Sequence, residues 1–118
     1  MDVRATARYL PLSAQKMRLV CDQVRGMDAD QALVVLQFMP QKGASFLYKL
    51  IESALNNAEN NFEMNRTDLF VRELFANEGP SMKRVKAGAR GRYKPRVKRT
   101  THLTVVLTER VEELINGS

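Results

Sequence analysis

The chain is poor in the residues on which catalytic and secreted proteins rely. Its 118 residues include one cysteine, one histidine and no tryptophan. Cys21 cannot form an internal disulfide, and no second thiol lies nearby to build a metal site. The sequence therefore reads as one adapted to a reducing compartment, the cytoplasm. With His102 as the one imidazole, no nucleophile–base spacing is present, and no catalytic residue is assigned. Asp28 and Asp30 are better explained by helix capping than by a metal. Phosphate-loop and dinucleotide glycine patterns are missing too, so neither cofactor nor metal is expected. No apolar run approaches the ~20 residues that span a bilayer. Met1-Asp2-Val3-Arg4 also lacks the apolar core of a secretory signal, and no membrane partner is expected.

The most telling absence is of negative charge. Between Glu78 and Glu109 no carboxylate occurs, while nine residues are basic: Lys83, Arg84, Lys86, Arg90, Arg92, Lys94, Arg96, Lys98 and Arg99. These are nine of the chain's 19 Lys and Arg; the other ten face 13 carboxylates, so the whole positive excess is local. Charge concentrated in this way repels itself unless counter-charge is supplied, which points to a polyanion reached by one part of the molecule.

The rest of the chain has the length and apolar content of one domain with a modest core, and no homo-oligomer is expected. Val3, Ala5, Ala7 and Tyr9 alternate with Arg4, Thr6 and Arg8, predicting a half-buried strand with a positive outer face. Pro11 ends it. Ser13 is a good N-cap for a helix carrying Met17, Val20, Cys21 and Val24 on one stripe, with Leu12 and Met17 at hydrophobic-staple positions and Gly26 at the left-handed end. Asp28 and Gln31 have the spacing of a capping box for a second helix through Leu33, Leu36 and Met39, stopped by Pro40. A third helix keeps Leu47, Leu50, Ile51, Ala54, Leu55 and Ala58 on one face. A polar turn at Asn65-Arg66-Thr67-Asp68 separates it from two β-like runs, Leu69 to Phe75 and Leu103 to Leu107. The expected fold is α+β: three helices packed on a small three-stranded antiparallel sheet, with a body of 1–78 and 101–118.

A connection of about 25 residues between two strands is uncommon unless it is functional or disordered. Let both strands continue outward as one long antiparallel β-hairpin whose paired residue numbers sum to about 178. Val71 then faces Leu107, Phe75 faces Leu103, and Val85 faces Tyr93. The turn falls at Gly88-Ala89-Arg90, and each limb reaches on the order of 40 Å at 3.3 Å per residue. This is a protruding arm, 79–100. The register sets Arg84 opposite Lys94 and Lys86 opposite Arg92, and like charges facing across a ladder are destabilising. Order in the arm is therefore expected to come from anions packed on both of its faces, as a phosphate backbone would supply. The bland alternative is a solvated or disordered basic run, disfavoured by its position between two strands. On residue type alone Lys16 and Arg18 belong to a solvated helix face. Tyr93 is suited to base stacking or to packing on Val85, His102 to a strand face and Cys21 to the core.

Several blocks resemble a known family. Ser13-Ala14-Gln15-Lys16-Met17-Arg18-Leu19-Val20, Val24-Arg25-Gly26, Glu52-Ser53-Ala54, Asn57-Ala58-Glu59-Asn60, Glu78-Gly79-Pro80-Ser81-Met82-Lys83-Arg84 and Lys98-Arg99-Thr100-Thr101-His102-Leu103-Thr104-Val105 are similar to the bacterial or organellar protein twenty-two of the large ribosomal subunit. The likeness covers nearly the whole chain, in the family's order and spacing. It implies a structural protein of the large subunit, cytoplasmic or in an organellar ribosome. Such a protein binds large-subunit rRNA, supports assembly, touches neighbouring ribosomal proteins and meets the nascent peptide in the exit tunnel at its hairpin tip. Carried over, the resemblance makes Lys16 and Arg18 rRNA-contact candidates beside Lys83, Arg84, Lys86, Arg90, Arg92, Lys94, Arg96, Lys98 and Arg99. The tunnel tip would be Gly88, Ala89, Arg90 and Gly91. Where the family commonly has proline-arginine-alanine-lysine before Gly-Arg, this chain reads Ala87-Gly88-Ala89-Arg90, so a more flexible tip is expected. A DNA-architectural protein with a β-arm is the competing reading, but this tip offers no apolar wedge.

The like-charge pairs generate a first prediction. In the RNA-free protein, amides of roughly residues 80–100 exchange rapidly while the body is protected. Strong hydrogen-exchange protection across that segment without RNA contradicts it.

Overall fold

The computed structural model describes residues 2–80, 82–87 and 93–109, the backbone alone for 82–87 and 93–98. The elements are β1 (Asp2–Leu10), α1 (Ala14–Val24), α2 (Ala29–Gln37), α3 (Lys42–Phe62), a 3-10 turn (Arg66–Asp68), β2 (Leu69–Glu78), β3 (Met82–Ala87), β4 (Tyr93–Lys98) and β5 (Thr101–Glu109). Strands β1, β5 and β2 form an antiparallel sheet in that order, and β3 and β4 form a separate two-stranded ribbon. Among the described residues, three helices on a three-stranded sheet give the expected α+β architecture.

Sequence periodicity explains the core. Met17, Val20, Cys21 and Val24 are buried on α1, and α3 buries Leu47, Leu50, Ile51, Ala54, Leu55 and Ala58. Both stripes meet the inner face of the sheet, made by Val3, Val71, Leu74, Leu103, Val105 and Leu107. Ser13 caps α1 by accepting from the Lys16 amide, a contact of the kind that contributes about 1 kcal/mol. Leu12 and Met17 both pack beside Gly43, where a Cβ would lie 3.1 Å from Leu12 Cδ2 and 3.2 Å from Met17 Sδ. Gly26 takes the expected positive φ of 87°. Its amide donates to Val71 O while the Val71 amide donates to Met27 O, so the link from α1 to α2 pairs with the outer edge of β2. Arg25 reinforces this edge, donating from Nε and Nη2 to Leu74 O at 3.1 and 2.7 Å.

Three expectations are corrected. Tyr9 does not continue the buried face of β1: the β1–β5 register shifts between Ala7 and Leu10, Tyr9 takes φ 58°, and its side chain is 61 % exposed. The bulge inserts a residue, and with it the period-2 pattern is lost. The capping box at Asp28 is also not made, because no side-chain cap bond forms there. Asp28 is instead drawn into a β-bridge with Phe70.

The third correction concerns register. Val71 faces Leu107 as expected, but β2 bulges between Val71 and Glu73, so Phe75 faces Thr104 instead of Leu103. Between the last sheet pair, Glu78 with Thr101, and the first ribbon pair, Met82 with Lys98, one side has three residues and the other two. Paired numbers therefore sum to 178, then 179, then 180. Val85 faces Pro95, Arg84 faces Arg96, and Lys86 faces Lys94. The expected turn and tip, Gly88, Ala89, Arg90 and Gly91, lie with Arg92 outside the described residues.

Burial pushes the Cys21 thiol up to about 11. The folded thiol stays protonated where the unfolded one ionises, so stability falls as pH rises through the interval below about 11. At pH 8 a thiol reagent is expected to modify Cys21 no faster than the chain unfolds. Rapid labelling of the native protein would place the thiol at the surface.

Candidate nucleic-acid interface

The ribbon leaves the body at a short, tightly bonded wrist. The Gly79 amide donates to Thr100 O at 2.9 Å, and Thr100 Oγ1 donates back to Pro80 O at 2.8 Å. Thr101 is fully buried and its hydroxyl donates to Leu12 O, tying β5 to the loop before α1. At Gly79 a Cβ would come within 2.5 Å of Thr100 Oγ1, so glycine is required there by close approach.

Beyond the wrist, alternation along the ribbon sorts residues by face. Met82, Arg84 and Lys86 stand opposite Lys98, Arg96 and Lys94; Lys83, Val85 and Ala87 stand opposite Val97, Pro95 and Tyr93. Of the six described ribbon cations, five therefore share one face and Lys83 alone joins the other. Pro95 removes no ladder bond from a neighbour sheet, because a two-stranded ribbon has only edges. The directly facing pairs, Arg84 with Arg96 and Lys86 with Lys94, are each worth roughly 0.2–1 kcal/mol of repulsion.

Two further candidates meet where ribbon and body join. Lys16 and Arg99 both line a cleft of about 390 Å³ with Ser13, Glu78, Gly79 and Thr100. Lys16 thus sits with the arm's root and not on an isolated helix face. Arg18 is placed differently. Its Nε donates to Ala76 O at 3.1 Å, stitching α1 to β2. Sequence reasoning missed Gly79 and Thr100, whose importance depends on the three-against-two mismatch. It also passed over Arg4 and Arg8, although the alternation of β1 had already placed them on an outer face. No group of His, Cys, Asp and Glu among the described residues is suited to a metal, and no described helix is long and apolar enough to cross a membrane.

An α+β body that extends a narrow ribbon rich in Lys and Arg defines a class of protein suited to a polyanionic partner. The family model described as ribosomal protein L22p/L17e matches residues 5–108, and the chain belongs to that family. It is 49% identical over 109 residues to the large ribosomal subunit protein uL22 of Desulfotalea psychrophila, covering 92% of this chain and 99% of that one. It is 44% identical over 110 residues to the uL22 of Finegoldia magna, covering 93% and 98%. The Thermoanaerobacter sp. protein of the same name is 46% identical over 110 residues, covering 93% and 99%.

The wrist yields a double-mutant test. Gly79→Ala is expected to destabilise the protein by about 1–3 kcal/mol through overpacking against Thr100 Oγ1. Because Thr100→Ala removes the clashing atom, the double variant should lose less than the sum of the two single losses in thermal unfolding. Strict additivity would show that the Gly79 contact is not what requires glycine.

Proposed function

We propose that the chain is a non-enzymatic structural constituent of the large ribosomal subunit that binds 23S-type rRNA through its arm. It acts as a single domain, the body 1–78 with 101–118 docking by shape and the arm 79–100 neutralising phosphates. Its place is the cytoplasmic ribosome, among rRNA and neighbouring ribosomal proteins. The tip, Gly88, Ala89, Arg90 and Gly91, lines the nascent-peptide exit tunnel, and the arm supports assembly by joining RNA segments.

The observation that carries this reading is the like-charge ladder, Arg84 against Arg96 and Lys86 against Lys94, with Lys98 on the same face. Five cations on one side of a two-stranded ribbon suit a continuous polyanion. A small metabolite cannot reach them all. Each phosphate neutralised releases counterions, so affinity depends steeply on salt. Family membership supports RNA as the polyanion. The Lys16–Arg99 cleft adds two cations at the arm's root, within reach of the same backbone.

Competition binding at matched salt tests the reading. Folded large-subunit rRNA is expected to outcompete duplex DNA. Replacing Arg84, Lys86, Lys94 and Arg96 by Gln should lower the log–log salt slope by about 0.7–0.9 per residue. Equal or tighter binding to duplex DNA would favour a DNA-architectural protein and overturn the assignment.

A further inference from the structure

Among the described residues, all three helices pack on one face of the sheet and none on the other. On that open face the register aligns Arg4, Val106 and Glu73 in one row and Thr6, Thr104 and Phe75 in the next; His102 faces Asn77 beyond them. Thr104 and Val106 are 8 % and 3 % exposed and stand outside the main core cluster. They make the floor of this face, with Thr6 Oγ1 and Thr104 Oγ1 3.4 Å apart across it.

The borders of this floor differ in chemistry. Along β1, Arg4 and Arg8 are exposed and their side chains have no hydrogen-bond or ion-pair partner among the described residues. The contrast is with Arg25, Arg66 and Arg72, each paired with a carboxylate. Arg72 reaches Asp2 at 2.7 Å. The Thr108 hydroxyl, and beside it the Arg72 guanidinium, hold the Asp2 carboxyl below its usual value, so this acid is already satisfied. Toward the wrist, the positive φ of Tyr9 brings its ring edge-on to His102, with centroids 4.9 Å apart and planes at 88°. The Tyr9 amide donates to His102 Nδ1 at 3.1 Å, and the residue as a whole remains 61 % exposed. Across the floor Phe75 is 36 % exposed.

We propose that this helix-free sheet face is a second RNA surface, taking unpaired nucleotides with their phosphates along β1 and their bases over the floor toward Phe75. The proposal rests on the reading above that the partner is RNA. Arg4 and Arg8, about 13 Å apart at 3.3 Å per residue, supply charge complementarity to a phosphate backbone. Glu73 at the β2 border sets the polarity, since its carboxylate excludes phosphate from that side. The exposed aromatic side chains Tyr9 and Phe75 are of the type on which unstacked bases stack, a contact that tolerates any base.

The full chain is titrated with a short oligouridine RNA carrying 4-thiouridine, beside an Arg4→Ala/Arg8→Ala variant and a Phe75→Leu variant. Arg4 and Arg8 hold no described partner, so an unchanged unfolding midpoint is expected for their replacement. Loss of two phosphate contacts should lower the log–log salt slope by about 1.4, taking ~0.7 per contact for single strands. Thiouridine crosslinks should map to Tyr9 and Phe75, with Phe75→Leu removing the second. An unchanged slope with crosslinks confined to the arm overturns this proposal while leaving the arm's assignment intact. Retained RNA affinity with loss of a contact to another ribosomal protein assigns the face to protein and overturns it equally. Absence of any RNA binding by the wild-type chain at low salt would instead remove the rRNA reading itself.

Discussion

The β2–β5 ladder and its continuation into the ribbon impose the constraint around which the rest of the molecule is arranged. Within the body, the ladder pairs Val71 with Leu107 and sets Leu74 against Val105, burying one face against α1 and α3. Past the wrist the same two chain segments pair arginine with arginine and lysine with lysine. One stretch of antiparallel chain is thus stabilised by hydrophobic burial at one end and destabilised by charge at the other. The wrist separates the two regimes with short-range bonds, Gly79 to Thr100 and Thr100 to Pro80, that do not depend on either. Burial of one apolar side chain, about 1.5–3 kcal/mol, outweighs one facing like-charge pair, so the body's fold is not threatened by the arm's repulsion.

Helices and core were legible in the sequence because amphipathic periodicity is a direct consequence of burial. Met17, Val20, Cys21 and Val24 on α1, and the six-residue stripe of α3, are buried where their spacing put them. Register was legible only up to its irregularities. A bulge inserts one residue without any period of its own, and neither the shift after Val71 nor the one after Ala7 has a glycine to mark it. Each slip of one residue moves side chains to the other face, yet the two slips along β2 and the wrist sum to two. The faces of the ribbon are therefore those the simple register gives, although every partner has moved. That is why the like-charge argument carried over with Arg96 and Lys94 in place of Lys94 and Arg92. The Lys16–Arg99 cleft was not legible, because the two residues are brought together only by the return of β5 beside the α1 cap.

Arginine has three separate uses in this chain, and residue type alone does not separate them. Arg18 and Arg25 donate to carbonyls of β2, at Ala76 and Leu74, and fasten α1 and the following link to the sheet. Arg66 and Arg72 neutralise carboxylates at the surface, pairs that contribute about 1 kcal/mol or less each. Arg4, Arg8 and Arg99 keep their guanidinium groups unengaged among the described residues. A group kept solvated in the free protein loses hydration on binding but breaks no internal bond. It is therefore better placed to meet an external anion than one such as Arg66, which would first have to leave Asp30 and Glu59.

These assignments bear on how the molecule distributes affinity between its two ends. The body is pre-organised by its buried core and its sheet pairing, so a ligand on the sheet face meets a surface that needs no ordering. The ribbon differs, since any repulsion between Arg84 and Arg96 is relieved only when counter-charge arrives, and part of the binding energy is spent on that relief. The body's contacts should then form with less salt dependence, involving fewer phosphates. The arm's should dominate the salt response. A partner RNA that first docks on the rigid end raises the effective concentration of phosphate near the wrist, where Lys16 and Arg99 already converge. Ordering would proceed outward from the wrist, pair by pair, because each anion bound between facing cations removes the repulsion that opposes the next pair.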